Sequence, residues 1–217
     1  MPIAALILSL IAVAALWLAA GNSLGLWLGG FGVVAILLPA LSLRRETMLQ
    51  RFVDAAVVTD CVVAVWLIST LVGEVKLIDC LLCTAVLYAF ALLGFGIANL
   101  LRRCRLPMEF TVLFVTIGLL AWLASPVWLS QWMNDSIAGF LSQFHPLLAI
   151  NARLTPLGIW LEQGVIYRHS VLGQDVAYAL PESVRPTTLL QASIGGFGLF
   201  LAFVLGPKRC EPQINAD

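Results

Sequence analysis

Residues 77–105 read LIDCLLCTAVLYAFALLGFGIANLLRRCR, with a single charge, Asp79, in the first 25 positions before Arg102, Arg103 and Arg105 close the stretch. A helix needs about 20 mostly apolar residues to cross about 30 Å of hydrocarbon, and inside hydrocarbon its backbone is satisfied without water. The stretch therefore predicts a membrane-crossing helix that ends at a basic interface. Around it lie five further apolar runs: 3–20, 24–43, 52–72, 110–129 and 189–205. The whole chain fits this reading, since 61% of its 217 residues are apolar and 11% charged, against about 45–50% and 25% for a soluble domain.

The sequence predicts an all-α integral membrane protein of six transmembrane helices. Residues 3–20 lack the basic flank of a secretory signal and are long for its apolar core, so they read as an anchor. Three regions follow: a five-helix membrane domain over 1–129, an external segment over 130–188, and a sixth helix with its tail over 189–217. Lys and Arg set the orientation, because they accumulate in cytoplasmic loops. Arg44, Arg45, Arg51, Arg102, Arg103, Arg105, Lys208 and Arg209 fall on one side, whereas Lys76 alone marks the short loops of the other. Both termini are accordingly expected in the cytoplasm, with 130–188 outside. The expected location is a bacterial inner membrane. Twelve basic residues balance twelve acidic ones, which leaves no electrostatic footprint for nucleic acid.

Charges inside the spans are the natural place to look for function, because an acid at mid-bilayer costs about 2.5–3.5 kcal/mol even on the milder scales. Asp60 is placed near the midplane, as a proton or cation site, a partner contact, or a structural hydrogen-bonding group. Asp79 enters one turn from the outer end and reads as an interfacial or helix-capping carboxylate. Asp54, in the first turn of its span, is expected to reach cytoplasmic water. Glycines at 21, 25, 29, 30 and 32, and the set Ala192, Gly196 and Gly198, suit close helix packing or self-association.

Five cysteines are dispersed along the chain, none of them in the external segment. The pair Cys80-Leu-Leu-Cys83 resembles, in spacing and position, the redox pair of the quinone-linked disulfide-generating membrane proteins, and that resemblance implies a thiol oxidoreductase. It covers four residues. That family also uses cysteines of an external loop and an arginine near the pair, whereas Thr84, Ala85, Val86 and Leu87 follow it here. The alternative is a pair of inert, buried thiols.

In the external segment, Met133, Ile137, Phe140, Leu141 and Phe144 recur at helical spacing, predicting an amphipathic helix over 130–144 that lies in the interface and breaks at His145-Pro146. A second helix is expected from Pro156 to Tyr167, capped by Thr155. The segment gathers His145, Glu162, Tyr167, Arg168, His169, Asp175 and Tyr178. These could form an acid–base pair or a metal site, but no ligand spacing is present; as polar residues of the wet region they suit a docking face. No cofactor or metal is expected. The chain has no internal repeat, phosphate loop or nucleophile elbow. The functional expectation is a multi-pass subunit of a transport or membrane-assembly complex, not itself an enzyme, with 130–188 docking or gating. Its partners would be the bilayer and other membrane subunits or a cytoplasmic ATPase. In span count and termini it is similar to six-span export permeases served by a separate ATPase.

Overall fold

The structure, a computed structural model, describes residues 11, 23–44, 46–71, 75–126, 135–154 and 181–205. Outside these lie nearly all of the first apolar run, the cytoplasmic tail, and residues 155–180. The helix expected over 156–167 and the candidates Glu162, Tyr167, Arg168, His169, Asp175 and Tyr178 therefore fall outside the described residues. Among the described residues every regular element is an α-helix. In chain order they are α1 (Ser23–Ser42), α2 (Met48–Leu71), α3 (Leu77–Arg103), α4 (Met108–Leu123), α5 (Asp135–Ser142), α6 (Pro146–Leu154) and α7 (Arg185–Val204). Two of them, α3 and α7, are long and apolar enough to cross a membrane, while α4 and the 29–42 part of α1 are shorter apolar helices.

The opening stretch forms the axis of the molecule. From Ala89 to Asn99 α3 is buried on nearly every face, among others by Ala89, Phe90, Leu93, Phe95 and Ala98, whereas Leu77, Ile78, Leu81 and Tyr88 leave one face of its first half exposed. A helix that is apolar all round belongs in the middle, and α3 indeed packs against α1, α2, α4, α6 and α7. Asp79 in its first turn and Arg102 and Arg103 in its last complement the helix dipole. Its end is a Schellman turn: Leu106 N–H donates to Leu101 O at 3.3 Å and Arg105 N–H to Arg102 O at 3.2 Å. The turn needs a left-handed residue, and Arg105 supplies it with φ 65°.

Antiparallel register between α2 and α3 is fixed by pairs along their length. Phe52 meets Phe95 edge-on at a centroid distance of 6.1 Å, and about two turns deeper Tyr88 donates a hydrogen bond to Asp60. On the opposite side α1 lays Trp27, Phe31, Val34 and Leu38 into the core. There Trp27 stacks on Trp66 at 4.5 Å and Phe31 meets Phe90 at 5.2 Å. Gly30 permits this approach, since a Cβ there would lie 2.6 Å from a Val62 methyl.

The closest helix pair is α3 with α7. A Cβ on Gly195 would fall 2.5 Å from the Leu92 carbonyl carbon, one on Gly96 would lie 2.8 Å from Gly195 Cα, and one on Gly198 would lie 3.1 Å from the Gly96 carbonyl carbon. Because Gly195 faces Leu92 while Gly198 faces Gly96, the two helices run parallel. The face α7 turns inward is Thr187, Gln191, Gly195, Gly198 and Ala202. This corrects the expected set: Gly196 points into open space and Ala192 is half-buried. Gly32, likewise, meets nothing within 4 Å.

Candidate functional site

Polar side chains gather at three levels along α3. The outer level is built at the junction of α4, α5, α6 and α7. His145 closes α5 and opens α6, so the break expected at His145-Pro146 is also a start: Pro146 occupies the first helical position, where its missing N–H costs nothing. The helix α6 itself was not anticipated. The ring of His145 is buried, and its Nε2–H donates to Trp122 O at 2.9 Å, while Nδ1 accepts from the Leu148 N–H at 3.4 Å. Burial lowers its pKa to about 4, against which the backbone hydrogen bonds at Trp122 and Leu123 act. The imidazole is therefore neutral at physiological pH, and both nitrogens hold backbone groups. From α7, Thr187 Oγ1 donates to Gln143 O at 2.7 Å and Gln191 Nε2 to Phe144 O at 3.4 Å. The Gln191 Oε1 is buried without a partner. Of the external polar candidates, His145 alone is described.

Asp60 and Tyr88 form the middle level. Counting about 1.5 Å per residue, Asp60 lies about 14 Å from Arg51 and Tyr88 about 14 Å from Asp79, so the pair sits halfway along the helices. The carboxylate placed near the bilayer midplane by the sequence lies on the perimeter of the bundle, exposed beside a phenol that is 42% exposed. Its partner comes from the neighbouring helix rather than from Thr59, whose hydroxyl donates to Ala55 O at 2.9 Å. Asp54 departs from expectation in the other direction, being buried. Asp79 lies in the first turn of α3, half-buried, as a carboxylate complementing the helix dipole would. Cys80 and Cys83 are free thiols, both fully buried in the core.

At the inner level Arg51 crosses from α2 to α3. Its Nη1 donates to Asn99 Oδ1 at 3.0 Å and its Nη2 to Glu46 O at 3.4 Å, while Asn99 Nδ2 donates to Phe95 O at 2.8 Å. Burial, and then repulsion from Arg102 and from Arg103, pull the Arg51 pKa below its ordinary value, so three guanidinium groups share one corner. Between this corner and the Asp60–Tyr88 pair runs a groove of about 220 Å³ lined by Phe52, Ala55, Ala56, Thr59, Tyr88, Ala91, Leu92 and Phe95.

No protein-family model, curated protein or solved structure matches this chain. Its site must accordingly be read from its own geometry. Among the described residues no group of three or more His, Cys, Asp and Glu side chains is placed to hold a metal ion. Sequence reasoning passed over Arg51, Tyr88, Asn99, Thr187 and Gln191. A signal existed for two of them: Tyr88 and Asn99 interrupt an apolar run eleven positions apart, three helical turns, and therefore share a face.

Proposed function

We propose that the chain is a multi-pass subunit of a transport or membrane-assembly complex of a bacterial inner membrane. It is not an enzyme by itself, it crosses the membrane six times with both termini in the cytoplasm, and its 130–188 segment docks or gates. The observation that carries this reading is the outer junction. The described histidine and two α7 side chains are committed to backbone groups of the 122–148 stretch. They fasten the described part of the 130–188 segment to the bundle, as a docking element requires.

Three features support the membrane part. Phe110, Phe114 and Ile117 on α4 and Phe197, Phe200 and Phe203 on α7 point outward, each more than half exposed; a soluble monomer rarely shows apolar area on that scale. The parallel course of α3 and α7 is what two outside-to-inside crossings require. Arg51, Arg102 and Arg103 also meet at one end of the bundle, the end assigned to the cytoplasm. The thiol oxidoreductase alternative is disfavoured by the core position of Cys80 and Cys83, which gives a substrate thiol no approach. The permease-like version of the proposal calls for a separate ATPase.

Purification of the full chain from its own membranes in mild detergent tests the reading. A stoichiometric membrane subunit or ATPase is expected to accompany it. Recovery as a stable lone monomer, under conditions that preserve known complexes of the same membrane, would overturn the proposal.

A further inference from the structure

The groove between α2 and α3 runs from Phe52 and Phe95 at one end to Tyr88 at the other, with mostly apolar walls; the Arg51–Asn99 bridge stands within one turn beyond its Phe52–Phe95 end, and Tyr88 is bonded to Asp60 at the other. On α3 the positions Tyr88, Leu92, Phe95, Asn99 and Arg102 or Arg103 follow one another at three- and four-residue steps, a single stripe along the helix. On α2 the facing stripe is Arg51 or Phe52, Ala55 or Ala56, and Thr59, leading to Asp60. The Thr59 hydroxyl is turned back onto Ala55 O, so it adds no polarity to the wall. From Phe95 to Tyr88 the groove is lined over about 10 Å of α3, which fits within the roughly 15 Å depth of one leaflet of a hydrocarbon core of about 30 Å.

We propose that this groove holds an acyl chain of an anionic phospholipid of the cytoplasmic leaflet, whose phosphate lies at Arg51, Arg102 and Arg103. The proposal rests on the reading of the chain as membrane-spanning. The shape favours a lipid over a partner helix: a helix is about 10–12 Å across, and a groove of about 220 Å³ seats a flexible chain instead. Charge selects the headgroup. Three arginines stand together, with Asp54 buried one turn along α2 and the exposed Glu46 beside Arg51, which leaves the basic groups in excess. Clustered basic side chains at the cytoplasmic boundary attract anionic lipid, each strengthening binding roughly fivefold. Arginine adds forked hydrogen bonding to phosphate oxygens.

The full chain, delipidated in mild detergent, is titrated with phosphatidylglycerol and separately with phosphatidylcholine of the same acyl chains, and bound lipid is counted by native mass spectrometry. One phosphatidylglycerol is expected to be retained in preference to phosphatidylcholine. The double variant Arg102→Gln/Arg103→Gln should weaken phosphatidylglycerol roughly 25-fold and leave phosphatidylcholine unchanged. Ala56→Phe, which fills the groove, should weaken both lipids. Inorganic phosphate at the lipid concentration should displace neither. Equal retention of the two lipids, full retention by both variants, displacement by phosphate alone, or a tightly held protein in place of lipid would each overturn the site. A chain that stays soluble without detergent would instead refute the membrane reading itself.

Discussion

Replacing Gly96 with alanine tests the axis of the molecule. A Cβ at that position would lie 2.8 Å from Gly195 Cα and closer still to the Gly195 carbonyl oxygen, whereas ordinary contact begins at 3.4 Å. Both neighbours are backbone atoms, so no rotamer change can make room and the two helices must part by roughly 0.6–1 Å. A gap of that size forfeits about a quarter to a half of the dispersion attraction across it, and the surrounding face from Thr187 to Ala202 loses register with α3. Overpacking of this kind costs about 1–3 kcal/mol, from which alanine's better helix propensity recovers at most about 1 kcal/mol. The controls lie in the same chain. Gly32, Gly118 and Gly196 have nothing within 4 Å of an added Cβ, so alanine there keeps the propensity gain without the clash. The propensity gain is common to both, so detergent-solubilised variants unfolded by SDS titration and followed by helical circular dichroism should differ by the overpacking cost, about 1–3 kcal/mol, between Gly96→Ala and Gly196→Ala. Gly195→Ala should behave like Gly96→Ala. Equal midpoints for Gly96→Ala and Gly196→Ala would refute the close approach of α3 and α7.

Four further outcomes are expected. His145 has its folded pKa near 4, below an ordinary value of 6.5; the unfolded chain then binds the extra proton first, so stability is full above about pH 6.5 and falls, by up to roughly 3 kcal/mol, as pH drops toward 4. His145→Asn keeps an N-cap acceptor and removes the titration, and denaturation midpoints across that range should show a shallower acid slope than wild type. Thr187→Val strands the Gln143 carbonyl and should cost about 1–2 kcal/mol, whereas Gln191→Leu also removes a buried oxygen that has no partner and should cost less, a ranking checked by the same unfolding titration. Arg105→Gly relieves the left-handed residue of the Schellman turn and should be neutral or stabilising by up to about 1 kcal/mol in thermal melts, while Arg105→Val should destabilise. An impermeant maleimide applied to inside-out vesicles should label the exposed Cys104 and spare the buried Cys61, Cys80 and Cys83; labelling of Cys104 from the outer face of intact cells would invert the proposed orientation.

Helix positions were legible because long apolar runs bounded by charge leave the backbone few other choices, and five of the six predicted runs contain a described helix. The packing faces were not. With glycines at 195, 196 and 198, two helix phases offer small residues, and only the partner's backbone selects Gly195 and Gly198. Proline misled at Pro146 because the same residue that ends one helix is well suited to begin the next. Asp54 and Asp60 were read by depth alone, which says nothing of direction: the shallower acid points inward and the deeper one outward to Tyr88. That partner depends on the α2–α3 register, a property of two segments that neither contains. Arg51 escaped notice for a similar reason, since it was counted as one of eight basic residues marking a side, and its bridge to Asn99 exists only in the assembled bundle.

The three polar levels also measure the molecule. On α3 Asp79, near the outer end, and Asn99, of the inner level, are about 30 Å apart at the helical rise, the thickness of a hydrocarbon core. Apart from Tyr88, the side chains between them are apolar or, as with Cys80, Cys83 and Thr84, short. On α2 the same span runs from Arg51 to Thr70, whose hydroxyl turns back to Leu67 O at 2.7 Å. Under the proposed membrane reading that spacing is the one a bilayer would impose on two neighbouring helices, and each polar group unable to reach an interface would have to be satisfied inside. Thr59 meets that condition through its own backbone and Asp60 through a phenol. Asp60 thus lies where the apolar groove stops, with Tyr88 as a hydrogen-bond donor already supplied from within the chain.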